Sequence, residues 1–257
     1  MDLRKRPLWG YLRSWLWTIP AAGIVTAVLV TLAVATAPWA PAGPWQTRLY
    51  RLWARTVLAI FGARVRVTGA GRLAPGRSYV IVSNHLSLAD TPVMLHAMPV
   101  PFRFLAKREL LGVPFIGWYL RRAGHLTVDR RSVRSSIESL NEAARLLREH
   151  SLSVLIFPEG GRSRDGSLRP FKEGAAWLAI ASGAEAVPVA ILGAGHVLPA
   201  GDSCILPGDV EVRIGEPVSP AGLTLRDRAA FTRLLEERVR CLLAGADTPP
   251  QSTSARS

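Results

Sequence analysis

Between Arg13 and Arg48 the chain carries no charged side chain. The centre of this segment, Leu16 to Ala37, is built mainly from Ala, Val, Leu, Ile and Thr. It is long enough to cross a hydrocarbon core of about 30 Å. Such a segment commits the chain to a bilayer unless it is removed as a leader, for which Ala35-Thr36-Ala37 resembles a cleavage site. Pro38 directly after that cut, and the early tryptophans, favour a retained anchor. Arg4, Lys5, Arg6 and Arg13 precede the segment, and Arg48, Arg51, Arg55, Arg64 and Arg66 follow it, so charge gives no orientation. Pro38, Pro41, Gly43 and Pro44 mark a turn. Beyond it Leu49, Leu52, Trp53, Thr56 and Ile60 share one helical face and Arg48, Arg51 and Arg55 another, the pattern of an interfacial amphipathic helix. Two readings stand: a dip into the membrane with return to the same face, and a simple span.

The rest of the 257 residues suffices for one α/β domain. Short apolar runs at Val65–Thr68, Tyr79–Ser83, Phe102–Lys107, Leu126–Val128, Ser153–Phe157, Ala186–Leu192 and Val210–Ile214 read as strands. Between them lie helical stretches: a helix start at Thr91-Pro92, a short helix near Leu110 and Leu111, and another from Pro114 to Arg122. The clearest is Ser132–His150, with Val133, Ile137, Leu140, Ala144 and Leu147 at three- and four-residue steps. Lys172–Gly183, with Ala175, Leu178 and Ala179 inward, and Arg226–Ala244 follow. The alternation predicts a layered α/β domain. The expected division is an anchor at 1–45, a domain at 46–245 opening with the interfacial helix 46–62, and a disordered tail at 246–257.

Ser83-Asn84-His85-Leu86-Ser87-Leu88-Ala89-Asp90 sits where a strand hands over to a helix, the edge at which α/β proteins bind ligands. A histidine whose Nδ1–H is held by a carboxylate keeps its other nitrogen free to take a proton from an alcohol. His85 and Asp90 have the spacing for that pair. The plainer reading makes Asp90 a helix N-cap and His85 a satisfied polar group.

A second stretch, Pro158-Glu159-Gly160-Gly161-Arg162-Ser163-Arg164-Asp165-Gly166, follows the buried run ending at Phe157. Backbone N–H groups freed by two glycines, with Arg162 as a forked donor, suit a phosphate. An ordinary turn stapled by a Glu159–Arg162 ion pair is the alternative. The net charge of +13 points to an anionic partner such as phospholipid, a phosphorylated substrate or nucleic acid. Cys204 and Cys241 lie far apart, and His96, His125, His150 and His196 are scattered, so neither a disulfide framework nor a metal site is expected. A G-x-S-x-G elbow is absent, which argues against a serine lipase.

Taken together, the two stretches resemble the lysophosphatidic acid acyltransferase family, the PlsC-like glycerolipid acyltransferases. Its Asn-His-x-x-x-x-Asp motif is met by Asn84, His85 and Asp90. Its Phe-Pro-Glu-Gly-Thr-Arg-Ser motif is met from Phe157 to Ser163, with Gly161 in place of threonine. Gly124 to Arg130 is similar to a further motif, with Thr127 where an aromatic is usual. Val187-Pro188-Val189-Ala190-Ile191 is similar to a fourth, and Lys107 with Glu109 matches a Lys-x-Glu-Leu stretch. The resemblance covers roughly residues 45–220.

It implies a layered mixed sheet flanked by helices behind an N-terminal membrane-embedded helix or two-helix anchor. It implies transfer of a fatty acyl group from acyl-CoA or acyl-carrier protein to the free hydroxyl of 1-acyl-glycerol-3-phosphate, giving phosphatidic acid, with no cofactor, at a bacterial plasma membrane facing the cytoplasm. His85 would be the base and Asp90 its orienting carboxylate. Lys107, Arg130, Glu159, Gly160, Gly161, Arg162 and Ser163 would form the acceptor site, its phosphate held by Arg162, Lys107 and Arg130. The partners implied are membrane lipids, the lysophospholipid acceptor and the thioester donor, without nucleic acid. Glycerol-3-phosphate or another lysolipid is the alternative acceptor. A non-enzymatic, membrane-anchored binder of anionic lipid is the alternative outside enzymes, and it would have no need of His85.

Overall fold

Tyr79–Ser83 forms strand β2, and all of its residues are buried. An apolar run without alternation is what a strand covered on both faces requires. Tyr79 and Ile81 face one layer of helices, Val80 and Val82 the other. Each such side chain taken fully from water contributes about 1.5–3 kcal/mol. The computed structural model describes residues 6–36, 44–113, 117–118, 126–128, 133–149, 152–163 and 165–246.

The other strands among the described residues are β1 (Ala63–Thr68), β3 (Phe102–Lys107), β4 (Leu126–Val128), β5 (Ser153–Ile156), β6 (Glu185–Leu192) and β7 (Gly208–Ile214). They form one sheet in the order β1-β7-β6-β2-β5-β3-β4. Neighbours run parallel except β6 and β7, so β1 and β7 oppose the rest and the sheet is mixed. One face is covered by α2 (Pro44–Phe61), α3 (Asp90–Ala97) and α6 (Ala194–Val197). The other is covered by α4 (Val133–Glu149), α5 (Gly174–Ser182) and α7 (Arg228–Ala244). The result is a three-layer α/β domain preceded by α1, Leu8–Thr36.

Most expected elements are present with shifted ends. The strand expected to Phe157 stops at Ile156, and the helix expected from Lys172 begins at Gly174. In α4, Ala144 and Leu147 are buried as expected, but Ile137 is 44% exposed, and Ala143, not expected inward, is buried. The helix expected over Pro114 to Arg122 lies largely outside the described residues, as do His125, His150 and the turn at Pro38 and Pro41.

The apolar face of α2 needs correction. Leu52, expected on it, is 51% exposed. The side turned to the sheet is Tyr50, Ala54, Val57, Leu58 and Phe61. The helix has two apolar sides because it is sandwiched: one packs on the core, the other meets α1, where the Trp53 indole donates to the Thr26 hydroxyl at 3.0 Å. Arg48 and Arg55 stay exposed.

Candidate active site

Val82 pairs with Ile156 across parallel strands, so the chain leaves β2 and β5 side by side at the same sheet edge. That register is why two stretches more than seventy residues apart form one site; His85 and Glu159 are separated by 74.

Asp90 is the first residue of α3 and is fully buried. One of its oxygens, Oδ2, accepts three hydrogen bonds: from His85 Nδ1 at 2.7 Å, the Leu86 N–H at 2.7 Å and the Ser87 N–H at 2.9 Å. Two backbone donors on the same oxygen mark it as an acceptor, which assigns the proton to Nδ1 and leaves Nε2 with its lone pair. The other oxygen, Oδ1, is buried and has no hydrogen-bond partner among the described residues. A helix N-terminus favours the negative charge, and so would an imidazolium. Asp90 does not cap α3 from the N-cap position, which Ala89 occupies. The His85 side chain is 19% exposed, with its ring stacked on Phe157 at 4.1 Å between centroids and 12° between planes.

The two loops are laced through their backbones. Glu159 accepts the His85 N–H on Oε1 at 2.7 Å and the Arg169 N–H on Oε2 at 3.1 Å. The Ser163 N–H returns a bond to the His85 carbonyl at 2.9 Å. Glu159 is only 3% exposed, and burial pushes its pKa up while the two backbone donors pull it down. Both of its oxygens are taken by amides behind the loops, and a carboxylate facing a phosphate would repel it.

Gly160 holds a φ of +76°, and a Cβ there would come within 2.9 Å of Lys172 Cε and Nζ. Arg169 Nη1 lies 3.6 Å from where a Gly161 Cβ would stand. Two cations that the sequence reading did not single out thus flank the glycines. Arg162 is half-buried beside them. The Ser163 hydroxyl turns to Asp165 Oδ1 at 2.7 Å, which also accepts the Ser167 hydroxyl and N–H at 2.7 and 3.0 Å. Those donors, the Ser167 and Ser163 hydroxyls foremost, lower the Asp165 pKa to about 2. Lys107 ends β3 at the same sheet edge, its backbone paired with Val128, and Arg130 lies outside the described residues.

Two further residues hold the loop between β2 and α3. Asn84, 1% exposed, exchanges a pair of bonds with the backbone of Ile191 in β6, at 2.9 and 2.8 Å. The Ser87 hydroxyl donates to the Leu198 carbonyl at 2.5 Å and accepts the Ala89 N–H at 2.9 Å. Asn84 and Phe157 stand in the motifs already noted, but their partners could not be read there.

The chain is similar to known proteins in sequence and in fold. The sequence model of the Acyltransferase family matches residues 64–192. The chain is 34% identical over 193 residues to human 1-acyl-sn-glycerol-3-phosphate acyltransferase alpha, covering 75% of this chain and 67% of that protein. It is 32% identical over 204 residues to the chloroplastic 1-acyl-sn-glycerol-3-phosphate acyltransferase BAT2 of Brassica napus, covering 77% of this chain and 58% of that one. The crystal structure of PlsC, the 1-acyl-sn-glycerophosphate acyltransferase of Thermotoga maritima, superposes with a TM-score of 0.75 at 25% identity, over 91% of this chain and 98% of that chain. A Chlamydomonas reinhardtii 1-acyl-sn-glycerol-3-phosphate acyltransferase is longer, and the chain spans 51% of it.

Proposed function

The chain belongs to the Acyltransferase family, and from that membership we propose that it moves a fatty acyl group from an acyl thioester to the free hydroxyl of 1-acyl-sn-glycerol-3-phosphate, giving phosphatidic acid. The observation that carries this reading is the fully buried Asp90 holding Nδ1 of the accessible His85 at 2.7 Å. A thioester is already activated, so no enzyme nucleophile is required. His85 Nε2 takes the proton of the acceptor alcohol as its oxygen attacks the thioester carbon. The C–O bond forms, the C–S bond breaks, and the imidazolium, stabilised by Asp90, returns the proton to the departing thiolate. The reaction balances without a cofactor, and acyl-CoA or acyl-carrier protein serves equally as donor chemistry.

Arg162 is assigned to the acceptor phosphate together with Lys107 and Arg130, with Gly160 and Gly161 bringing the backbone close. Glu159 is assigned to holding the loops and not to contacting substrate. The relatives' activity supports the acceptor, and the site supports the chemistry.

Helix α1 is long and apolar enough to cross a membrane by length and composition. Its packing supports a one-sided insertion instead. Its start is bonded to the loop at 203–206 and its middle to Trp53 of α2, which is itself part of the core layer. Beyond Thr26 only the last turns, rising about 15 Å, are left to project, half of a hydrocarbon core. The Thr36 hydroxyl and the Ala33 carbonyl are bonded to Trp45 and Gln46, which lead back to the domain. Such an anchor holds the site at the headgroup plane, where both acceptor and product reside, and the basic surface attracts anionic lipid. A bacterial plasma membrane gains no support from relatives that include human and chloroplastic proteins.

The decisive experiment is acyl transfer by purified wild type and His85→Ala with lysophosphatidic acid and an acyl thioester, with glycerol-3-phosphate as a second acceptor. Phosphatidic acid from wild type and none from a folded mutant is the expected result. Equal rates in both would remove His85 from the chemistry.

A further inference from the structure

Helix α1 meets the domain through more than apolar surface. Gly10, Ser14 and Thr18 are buried along its first turns at four-residue steps, through a turn of π-helix at Ser14–Thr18. The wider turn lets residues four apart keep one face, which an α-helix would let drift.

That face sits on the segment 195–206. Ser14 Oγ accepts the Ile205 N–H at 2.7 Å and donates to the Gly10 carbonyl at 2.6 Å. Arg6 donates to the carbonyls of His196 at 2.7 Å, Cys204 at 3.2 Å and Gly195 at 3.4 Å. Arg13 bridges the Ile205 carbonyl at 3.2 Å and the Ile60 carbonyl at 3.1 Å. At Gly10 a Cβ would lie 2.8 Å from both Cys204 Sγ and Leu206 Cδ2, so helix and segment are in tight contact.

The same segment is the wall of the catalytic loop. The Leu206 N–H donates to the Val197 carbonyl at 3.0 Å, closing the segment on itself. The next carbonyl, Leu198, accepts the Ser87 hydroxyl, and the Ser87 N–H is one of the donors on Asp90. Leu86 Cβ lies 3.8 Å from where a Gly195 Cβ would stand. A membrane tether needs apolar area alone. A buried hydroxyl bond to one particular amide, with part-buried guanidinium bonds to particular carbonyls around it, is how parts of one domain are fixed to each other.

We propose that the first turns of α1 are a positioning element for the catalytic loop, with Ser14 a positioning residue that acts through Ile205, Leu198 and Ser87 on the Asp90–His85 pair. Its kinetic consequence rests on the acyl-transfer reading; its structural consequence does not. Losing the Ser14 hydroxyl orphans the Ile205 N–H and frees the wall against which Ser87 is held.

The test uses full-length wild type, Ser14→Ala, Arg6→Ala and Leu16→Asp, the last at a side chain of the same helix that is 76% exposed. Rates are read with short-chain lysophosphatidic acid below its aggregation concentration and a short-chain acyl-CoA, so that delivery from a bilayer plays no part. Ser14→Ala and Arg6→Ala are expected to lower kcat by about tenfold with both KM values within about twofold. In both, the amides of Leu86 and Ser87 exchange hydrogen faster while those of Val80 and Ile81 are unchanged. Leu16→Asp weakens sedimentation with anionic vesicles and leaves kcat on the soluble pair unchanged. Wild-type kcat and wild-type exchange in Ser14→Ala overturn the proposal, and so does an equal loss of kcat in Leu16→Asp. If Ser14→Ala does not fold, Arg6→Ala, at the more exposed rim, decides by the same readouts. A wild type inactive on every acceptor would sink the proposed reaction, while the exchange comparison would still decide the coupling.

Discussion

The Phe157 ring lies parallel to the His85 imidazole, 4.1 Å away between centroids and 12° from coplanar orientation. Asp90 fixes where Nδ1 points, and Phe157 fixes the plane of the ring, so together they aim Nε2. A π face beside the imidazole also favours the cation that the proposed proton transfer would form. Phe157→Leu is therefore expected to lower kcat roughly three- to tenfold, the equivalent of about 0.5–1.5 kcal/mol, with little change in KM. Steady-state kinetics on the folded variant checks it.

Asp90→Asn keeps the shape of the carboxylate and removes its charge. An amide oxygen can still accept from Leu86 and Ser87, but it holds the imidazole tautomer and the imidazolium poorly. kcat should fall by about two to four orders of magnitude with the fold intact. Circular dichroism alongside initial rates separates this from simple unfolding. A loss under tenfold would reduce Asp90 to loop support.

Glu159→Gln tests the clamp. The glutamine oxygen can take one of the two amides that Glu159 holds, but its NH2 then faces the other donor, from His85 or Arg169. An amide orphaned in a buried position costs about 1–3 kcal/mol. The denaturation midpoint should drop accordingly, and kcat with it, because the weakened clamp is the one that ties the His85 backbone to the 159–169 loop. A KM effect confined to the acceptor would return Glu159 to the substrate site.

Asp165 supplies the pH dependence. Its folded pKa is lowered from 3.8 to about 2 by the Ser167 and Ser163 hydroxyls. A depressed carboxylate contributes stability that is fully present above its unfolded value and is lost as pH falls through its folded value. The stability difference between wild type and Asp165→Asn should thus be constant at neutral pH and disappear between pH 3.8 and about 2. Denaturant titrations across that window measure it. A difference that persists to the acid end would mean that the hydroxyls do not hold the charge.

The anchor geometry predicts a depth profile. Spin labels replacing the exposed Leu8, Ile24 and Leu32 should read progressively deeper along α1, ending about 15 Å below the headgroups. A spanning helix would instead be deepest near Ile24 and shallow again at Leu32. Paramagnetic-relaxation depth measurements on vesicle-bound protein distinguish the two.

The elements that depend on neighbours in sequence were legible without coordinates. The apolar run Tyr79–Ser83, the uncharged N-terminal segment, and the adjacency of His85 and Asp90 across a strand-to-helix turn all follow from spacing and side-chain chemistry within a few residues. Helix and strand ends were less so: Phe157 continues the apolar run of β5 but leaves the strand to stack on His85. Composition cannot distinguish those two uses of one aromatic ring.

What only the tertiary structure decided is which distant groups meet. Asn84 finds Ile191 at a separation of 107 residues, Ser14 finds Ile205 at 191, and Glu159 spends its charge on the amides of His85 and Arg169. The sequence carries the polar atoms but not their partners. A backbone N–H or carbonyl is the same on every residue, and only the packed layers, with their strand order and register, bring one within hydrogen-bond reach of a given side chain. For the same reason α2 showed its amphipathic pattern in sequence but not its two covered sides, since which face is buried depends on the layers that close around it.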